Sequence, residues 1–183
     1  MPYQYKPLTD LNELVNFRCG IMKMDDFIRN GLADSVNNNY CRPYGVYDDY
    51  GSLVAFFAVS FDCLELSIDF KEDLRDGYAE TELPKIFGSP YGETFLSKLH
   101  YPALEITYLA VREDKQHMGI GDACVAVIIE MAKEQSMAGC IFLTVDALII
   151  PEYSAVGFYR KCHFTQAEDR KSYKETLRLY YAL

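Results

Sequence analysis

Between residues 104 and 131 the chain passes from a strand pattern into a helix pattern, and this order restricts the fold more than any other feature of the sequence. The run 104–111 (LEITYLAV) is rich in β-branched and aromatic residues, as expected of a strand. A polar turn that contains glycine follows over 112–121. Apolar residues then recur at the i, i+3, i+4 and i+7 positions of an amphipathic helix: Cys124, Val127, Ile128 and Met131. A strand joined by a short turn to a helix is the repeating unit of α/β proteins.

The same alternation continues to the end of the chain. Residues 140–148 (CIFLTVDAL) form a second apolar run of strand length, and residues 176–182 alternate as a closing strand does. Between them, Pro151 suits the first position of a helix. That helix would carry apolar residues at helical spacing: Ala155, Phe158, Tyr159 and Cys162. Strands and helices in this order predict an α/β fold.

The first hundred residues are less regular. Residues 10–36 are predicted to be helical, with an apolar face formed by Met24, Phe27, Ile28 and Leu32. Residues 53–61 (LVAFFAVSF) are a near-continuous apolar run, which predicts a strand buried on both faces. Glycine and proline punctuate residues 62–103, which we interpret as an irregular insertion. A chain of 183 residues suits a single domain that spans 1–183.

Composition limits the partners and the compartment. Acidic residues outnumber basic ones by 27 to 18, and the formal net charge of −9 weighs against nucleic acid as the main partner, since duplex binding depends on Lys and Arg contacts to phosphate. The six cysteines are scattered without a C-x-x-C pair, so we interpret them as reduced thiols of a cytoplasmic protein, with no metal site. No apolar run approaches the roughly 18 residues of a membrane span, so no membrane partner is expected.

The turn at 116–121 (QHMGIG) is the strongest local sign of a binding function. Its two glycines let the backbone turn tightly and approach a ligand closely. The unpaired N–H groups and the positive dipole end of the helix that follows favour an anion, such as a pyrophosphate. A plain glycine turn is the alternative. The P-loop string G-x-x-x-x-G-K-[ST] is absent, and a dinucleotide fingerprint would need a small residue where Cys124 stands.

This loop and the later helix together resemble the GCN5-related N-acetyltransferase (GNAT) superfamily. The family's loop signature, Q/R-x-x-G-x-G/A, is matched by Gln116, Gly119 and Gly121. Its second helix usually reads A-x-x-F-Y-x-x-x-G-F, and the corresponding places are filled by Ala155, Phe158, Tyr159 and Phe164. The resemblance covers residues 104–183 and implies a single α/β domain whose mixed central sheet is flanked by helices.

The resemblance also implies that acetyl-CoA is the acyl donor and that 104–183 is the cofactor-binding half. We expect the insertion at 62–103 to lie near the acceptor site. In the family, the loop amides cradle the CoA pyrophosphate and the pantetheine arm lies along the preceding strand. The corresponding cofactor-binding residues are Leu109, Ala110, Val111, Gln116, His117, Met118, Gly119, Ile120, Gly121 and Asp122. The sequence departs from the family pattern at Met118, where Arg is common, so Lys115 or His117 would have to supply the positive charge. It departs again at Glu152, where many members carry Asn, and at His163, where Gly is usual.

Acyl transfer to an amine requires proton transfers that side chains have to support. A lysine-like amine has a pKa of about 10.4 and is mostly ammonium at neutral pH, so a base must take its proton. The resemblance makes Glu105 the candidate base; the alternative is a strand-end side chain that faces solvent. It makes Tyr159 the candidate general acid for the departing thiolate; the alternative is a core tyrosine. It also implies that the N–H of Leu109 donates to the oxyanion. Asp146 is interpreted as a cap for the turn after its strand.

The sequence therefore predicts an acetyl-CoA-dependent N-acetyltransferase that acetylates a primary amine of a small molecule or a protein, because an acidic surface attracts cations. Residues 17–20 (FRCG) and 24–28 (MDDFI) also resemble the opening of acetyltransferase toxins that act on aminoacyl-tRNA. The toxin activity is an alternative that the net charge opposes. A non-catalytic acyl-CoA-binding regulatory module is a second alternative. The presence of both candidate catalytic residues, Glu105 and Tyr159, weighs against it. The acceptor, the acyl chain preference and the formation of a homodimer stay open.

Overall fold

The structure is a computed structural model, and it describes residues 3–67, 71, 90, 92–167 and 175–183. Its strands are β1 (Gln4–Pro7), β2 (Arg42–Tyr47), β3 (Leu53–Glu65), β4 (His100–Val111), β5 (Phe142–Ile150), β6 (Tyr153–Ser154), β7 (Thr165–Gln166) and β8 (Thr176–Ala182). The helices described are α1 (Met22–Asn30), α2 (Leu32–Asn37), α3 (Gly92–Ser97), α4 (Ile120–Glu134) and α5 (Val156–Lys161), with 3₁₀ turns at Leu11–Leu14 and Glu113–Lys115. None of these described helices combines the length and the apolarity needed to span a bilayer.

The strands form one sheet in the order β1-β2-β3-β4-β5-β8-β7, with β6 paired to β5. Strands β4 and β5 pair in parallel, whereas β5 pairs with β8 antiparallel. Strands β1 and β2 and strands β2 and β3 are also antiparallel pairs. The predicted α/β fold with a mixed sheet is therefore confirmed.

The chain divides into two compact units. The first comprises Met1–Ser60 and Ile106–Met131, and the second comprises Phe61–Glu105 and Ala132–Leu183. Strands β3 and β4 each contribute residues to both units. Each unit has a buried apolar cluster of its own.

In the first unit, helix α1 and strand β3 supply much of the core. Ile28 and Phe56 are buried together with Phe17, whose ring meets the Phe56 ring edge-on with centroids 5.5 Å apart. The predicted helical stretch 10–36 is interrupted, because Gly20 adopts a φ of +79° in the turn before α1. A second break at Gly31 separates α1 from α2. The helical spacing of the apolar residues predicted the buried face correctly but did not predict these two breaks.

Strands β3 and β4 are longer than predicted and include both ends of the segment 62–103 that was predicted to be irregular. The predicted run 53–61 lies in β3, and its central residues, Val54 to Ala58, are no more than 1% exposed. The strand continues to Glu65, where exposed and buried residues alternate. Strand β4 begins at His100 instead of residue 104, and buried and exposed residues alternate here too: Tyr101 and Ala103 are buried, whereas His100 and Pro102 are exposed. The prediction of an insertion near the acceptor site falls partly outside the described residues.

In the second unit, aromatic rings from different strands meet in the core. The Phe142 ring makes edge-on contacts with the rings of Tyr101, at 6.0 Å between centroids, and Tyr180, at 5.6 Å. All three side chains are almost completely buried. Burial of a side chain of this size contributes about 1.5–3 kcal/mol to the free energy of unfolding.

The prediction that a helix begins at Pro151 is wrong. Strand β5 continues to Ile150, and Pro151 lies in the turn that leads to β6, where Ile149 is paired with Ser154. The N–H of Ala155 then donates to the carbonyl of Leu148 at 2.9 Å. Helix α5 begins only at Val156, because the main-chain groups before it are used by this hairpin.

The end of helix α5 explains the family's preference for glycine at position 163. The N–H of Phe164 donates to the carbonyl of Tyr159 at 3.0 Å, and the N–H of His163 donates to that of Arg160 at 3.1 Å. These two bonds form a Schellman motif, which places the residue after the C-cap in the left-handed region. His163 accordingly has a φ of +66°. The Phe164 ring lies 5.3 Å from the Tyr159 ring, which is the apolar contact that accompanies such a motif.

Replacing His163 with Gly is expected to raise the free energy of unfolding by about 0.5–1 kcal/mol, because glycine adopts a positive φ without a steric penalty. Urea denaturation of the two proteins measures the change. His163→Ala is the matched control, since it removes the imidazole but keeps a Cβ in the left-handed region. An equal gain in the Ala variant would show that the side chain, and not the backbone conformation, sets the stability here.

Candidate active site

The loop that joins β4 to α4 has an unusual backbone. After the 3₁₀ turn at Glu113–Lys115, His117 has a φ of +62° and Gly119 a φ of +78°. Helix α4 begins at Ile120 and continues for 15 residues. Two left-handed residues within three positions turn successive N–H groups in similar directions, which is the geometry of an anion-binding nest.

Several main-chain N–H groups of this loop have no main-chain acceptor within the described part of the chain. The N–H of Gln116 donates to Glu113 and that of Ala123 donates to Gly119. Among the residues that the structure describes, no main-chain carbonyl accepts from the N–H groups of residues 117–121. His117, Met118 and Gly119 are exposed, and a Cβ at Gly119 would meet no atom within 4 Å. The loop therefore offers donors and space for an anion.

Gln116 holds this loop in place. Its side-chain Nε2 donates to the carbonyl of Cys19 at 2.7 Å and to that of Val111 at 3.1 Å. The N–H of Glu113 also donates to the carbonyl of Arg18 at 2.9 Å. The amide of Gln116 thus connects the loop with the end of β4 and with the turn before α1.

The diphosphate of acetyl-CoA fits this loop. The donors are main-chain groups at the positive end of a long helix, so they suit two phosphate groups without a particular side chain. Met118, at 62% exposed, brings no charge. Lys115 is a cationic side chain in the loop, and His117 lies next to Met118. The guanidinium of Arg112 is paired with the carboxylate of Asp114. Asp122 is exposed in the first turn of α4, where its carboxylate would repel phosphate, so only its main chain suits the role that the sequence predicts.

The strand residues predicted to contact the pantetheine arm lie at the end of β4. Strand β4 pairs with β5 over three residue pairs, of which the last joins Glu105 to Thr144. Leu109, Ala110 and Val111 lie beyond this last pair, and Ala110 is buried. Their contact with acetyl-CoA stays a prediction.

Tyr159 lies inside the second unit. Its side chain is only 5% exposed, and its ring contacts the rings of Phe158, at 5.0 Å between centroids, and Phe164, at 5.3 Å. The Schellman motif fixes the main chain at both Tyr159 and Phe164. A tyrosine held in this way keeps its hydroxyl at a fixed position, as a general acid requires.

Glu105 lies in the middle of β4, not at the start of a strand as the sequence suggested. Its side chain is 16% exposed, so the alternative of a strand-end glutamate that faces solvent is wrong. The carboxylate lies 4.0 Å from Nη1 of Arg178. The structure thus places Glu105 in a charged environment that sequence reasoning missed.

Arg178 is bound by two further carboxylates, Asp62 and Asp146. Asp146 does not cap a turn, because it lies within β5 directly opposite Arg178 on β8, and 3.3 Å separates their side-chain atoms. A signal was present in the sequence, since Arg178 stands between Leu177 and Leu179 in an alternating strand. Nothing in the sequence indicated which carboxylates would meet it.

Among the described residues there is neither a thiolate at Cys19 or Cys124 nor a group of side chains that could hold a metal ion. All six cysteines are free. Burial raises the pKa of Cys124 to about 12 and that of Cys19 to about 11, so neither is a thiolate at neutral pH. Within the described parts of the chain, His, Cys, Asp and Glu side chains form no group of three or more that could hold a metal ion.

The chain is similar to one known protein family and to several solved structures. The sequence matches the acetyltransferase (GNAT) family over residues 23–164, whereas no curated protein gives a significant match. A tyrosine-to-phenylalanine mutant of KacT is 19% identical, with 100% of this chain and 95% of that chain covered and a TM-score of 0.69. AtaT complexed with acetyl-methionyl-tRNAfMet is 19% identical, with 98% and 94% covered and a TM-score of 0.68.

A third similar structure contains the acyl donor. It is an AtaT mutant toxin bound to acetyl-CoA and to the C-terminus of the antitoxin AtaR, 16% identical, with 100% of this chain and 94% of that chain covered and a TM-score of 0.66. At these identities the likeness to solved structures shows a shared fold. Because the family match extends over most of the chain, this protein belongs to the acetyltransferase (GNAT) family, whose acyl donor is acetyl-CoA.

Proposed function

We propose that this protein transfers the acetyl group of acetyl-CoA to the α-amino group of an aminoacyl-tRNA, as a toxin-type acetyltransferase. The observation that carries the proposal is the full-length likeness to KacT and to AtaT, one of whose structures holds acetyl-methionyl-tRNAfMet. The resemblance of residues 17–20 and 24–28 to the opening of such toxins supports it independently. The sequence had placed this activity second, behind a small-molecule or protein amine.

The chemistry suits the residues of the site. An α-amino group has a pKa of about 7.7–8.0, so about a tenth of it is already neutral at pH 7. In our proposal the amine nitrogen forms a bond to the thioester carbonyl carbon while Glu105 takes the amine proton, directly or through water. The Leu109 N–H donates to the carbonyl oxygen as negative charge develops on it. The carbon–sulfur bond then breaks, and the Tyr159 hydroxyl gives its proton to the CoA thiolate.

The net charge of −9 supports a second candidate, transfer to a small cationic amine or to a protein amine. An acidic surface raises the local concentration of cations and repels phosphate, and both effects weaken as salt is added. Binding of tRNA through phosphate contacts would weaken steeply with salt and would require an intact RNA chain. A small amine attracted by the overall charge would bind more weakly in salt as well, but without any dependence on RNA.

One assay tests the proposed function. Purified protein is incubated with radiolabelled acetyl-CoA and total aminoacylated tRNA, and the RNA is digested so that the terminal aminoacyl-adenosine can be identified by mass spectrometry. We expect N-acetyl-aminoacyl-adenosine. Matched reactions contain the same tRNA after deacylation, spermidine, or lysine-containing peptides. Acetylated spermidine or peptide with unmodified aminoacyl-adenosine would reject the tRNA proposal in favour of the second candidate.

Replacing Glu105 with Gln is expected to lower kcat/KM by about tenfold at pH 7, because only the fraction of amine that is already neutral would then react. The acidic limb of the pH–rate profile should change from that of an enzyme-bound base to that of the free amine. Glu13→Gln is the control. The Glu13 carboxylate accepts a hydrogen bond from the Tyr47 hydroxyl at 2.9 Å in the first unit and has no part in the proposed transfer. An unchanged limb in the Glu105 variant would mean that another group is the base.

A further inference from the structure

Four charged side chains meet on one face of the sheet in the second unit, and we call them the Arg178 cluster: Asp62 on β3, Glu105 on β4, Asp146 on β5 and Arg178 on β8. The strand register brings them together. Asp146 is paired with Arg178, and Thr144, two residues earlier on β5, is paired with Glu105. Residues two apart on a strand project from the same face, so Glu105 and Arg178 share it.

The guanidinium of Arg178 is the common partner of the three carboxylates. Its Nη2 donates to Asp62, whose carboxylate also accepts from the hydroxyl of Thr144. Its Nη1 lies 3.3 Å from Oδ1 of Asp146 and 4.0 Å from Oε1 of Glu105. Arg178 is thus fixed by the two aspartates, and the glutamate is its more distant partner.

Among the described residues, the cluster carries more negative than positive charge. Three carboxylates face one guanidinium, and the Arg178 and Glu105 side chains are only 14% and 16% exposed, so solvent screens their interaction weakly. Burial alone would lower the pKa of Arg178, but the neighbouring charges of Asp62, Asp146 and Glu105 outweigh it and raise that pKa. Arg178 therefore keeps its charge at every pH at which the protein works. Without it, the described part of the cluster would consist of carboxylates alone, and like charges at short range favour retention of a proton on one of them.

We propose that Arg178 is a positioning residue for Glu105: its guanidinium keeps the glutamate carboxylate charged and oriented for accepting a proton from the amine. The inference rests on the proposed function, because it is there that Glu105 is the base. Arg178 contacts neither substrate in this proposal. Its effect on the reaction passes through the carboxylate of Glu105.

The first test compares Arg178→Gln and Arg178→Lys with the wild type. In the Gln variant we expect kcat/KM at pH 7 to fall by no more than the roughly tenfold loss expected for Glu105→Gln. The acidic limb of the pH–rate profile should move up by about one pH unit, as expected when an opposite charge within 4–6 Å of a carboxylate is lost. The Lys variant keeps a positive charge, so the acidic limb of its pH–rate profile should lie at the wild-type position. The Kd for acetyl-CoA should stay within about twofold in both, which a general loss of structure would not allow.

Two further variants keep the proposal testable if the Gln variant does not fold. Asp146→Asn removes one carboxylate from the same Nη1, so the acidic limb should move down instead of up. In a Glu105→Gln background, Asp146→Asn should leave the acidic limb where it is, because the cluster would act only through Glu105. An acidic limb that does not move in Asp146→Asn, or that still moves in the double variant, would overturn the proposal.

A readout without activity separates this inference from the proposed function. The carboxyl carbon of Glu105 can be followed by NMR during a pH titration of ¹³C-labelled protein, whichever acceptor the enzyme uses. We expect the Glu105 resonance to titrate at higher pH in Arg178→Gln and at lower pH in Asp146→Asn than in the wild type. Unchanged titration in both variants would refute the role of Arg178 even if tRNA is acetylated. Shifted titration with no acetylated tRNA would refute only the proposed acceptor.

Discussion

Gly119→Glu is expected to weaken acetyl-CoA binding by at least about 100-fold, or about 2.7 kcal/mol. Two effects combine at this position. The new carboxylate would stand among the N–H groups that the diphosphate is proposed to use, and two unit charges about 4 Å apart repel by about 4 kcal/mol at an effective dielectric constant of about 20. The φ of +78° at Gly119 also disfavours any residue with a Cβ. Isothermal titration calorimetry measures the Kd.

The chain supplies a close control for the backbone effect. Gly51 has a φ of +75°, and a Cβ added there, like one added at Gly119, would meet no atom within 4 Å. Gly51→Glu therefore introduces a similar backbone strain and the same charge in the turn between β2 and β3, outside residues 117–121. The control should lose as much stability as Gly119→Glu and keep the wild-type Kd. A folded Gly119→Glu variant that binds acetyl-CoA normally would show that the loop amides do not hold the diphosphate.

Tyr159→Phe is expected to lower kcat about 100-fold and to leave the Kd for acetyl-CoA within about twofold of the wild type, which is the pattern for loss of a general acid. The ring packing against Phe158 and Phe164 is kept in this variant. The free energy of unfolding should therefore change by less than about 1 kcal/mol. Single-turnover measurements of acetyl transfer separate the chemical step from product release.

Tyr101→Phe is the matched control for removing a buried tyrosine hydroxyl. Tyr101 is as deeply buried in the same unit, burial raises its pKa to about 12, and its hydroxyl donates to the carbonyl of Lys98 at 2.9 Å. Its loss should lower the free energy of unfolding by about 1 kcal/mol with no change in kcat. Equal turnover in Tyr159→Phe and the wild type would make Tyr159 a packing residue.

Features set by neighbouring residues could be predicted from the sequence. The loop at 116–121 is such a feature, because the left-handed conformation at Gly119 favours a residue without a Cβ. The closing strand 176–182 has the same bounds in the structure, since strict alternation is a local signal. The F-Y segment and the left-handed residue at 163 belong to one Schellman motif, whose hydrogen bonds lie within residues 159–164.

Features set by distant residues could not be predicted. Pro151 favours a helix start locally, but pairing of Ile149 with Ser154 places it in a hairpin turn instead. The Arg178 cluster joins residues separated by up to 116 positions, from Asp62 to Arg178, and depends on the strand order and register. A shift of β8 by one residue would move Arg178 to the opposite face. The resemblance alone therefore suggested Glu105 as a candidate base, and only the structure showed that Arg178 lies beside it.

Amide-resolved NMR of ¹⁵N-labelled protein titrated with acetyl-CoA tests the proposed cofactor loop most directly. The largest shifts are expected at the N–H groups of residues 117–121, and acetyl-pantetheine, which lacks the diphosphate, should leave those resonances in place while perturbing Leu109 to Val111. If acetyl-CoA binds but the amides of 117–121 do not respond, the loop is not the diphosphate site, and the assignment of this site is contradicted.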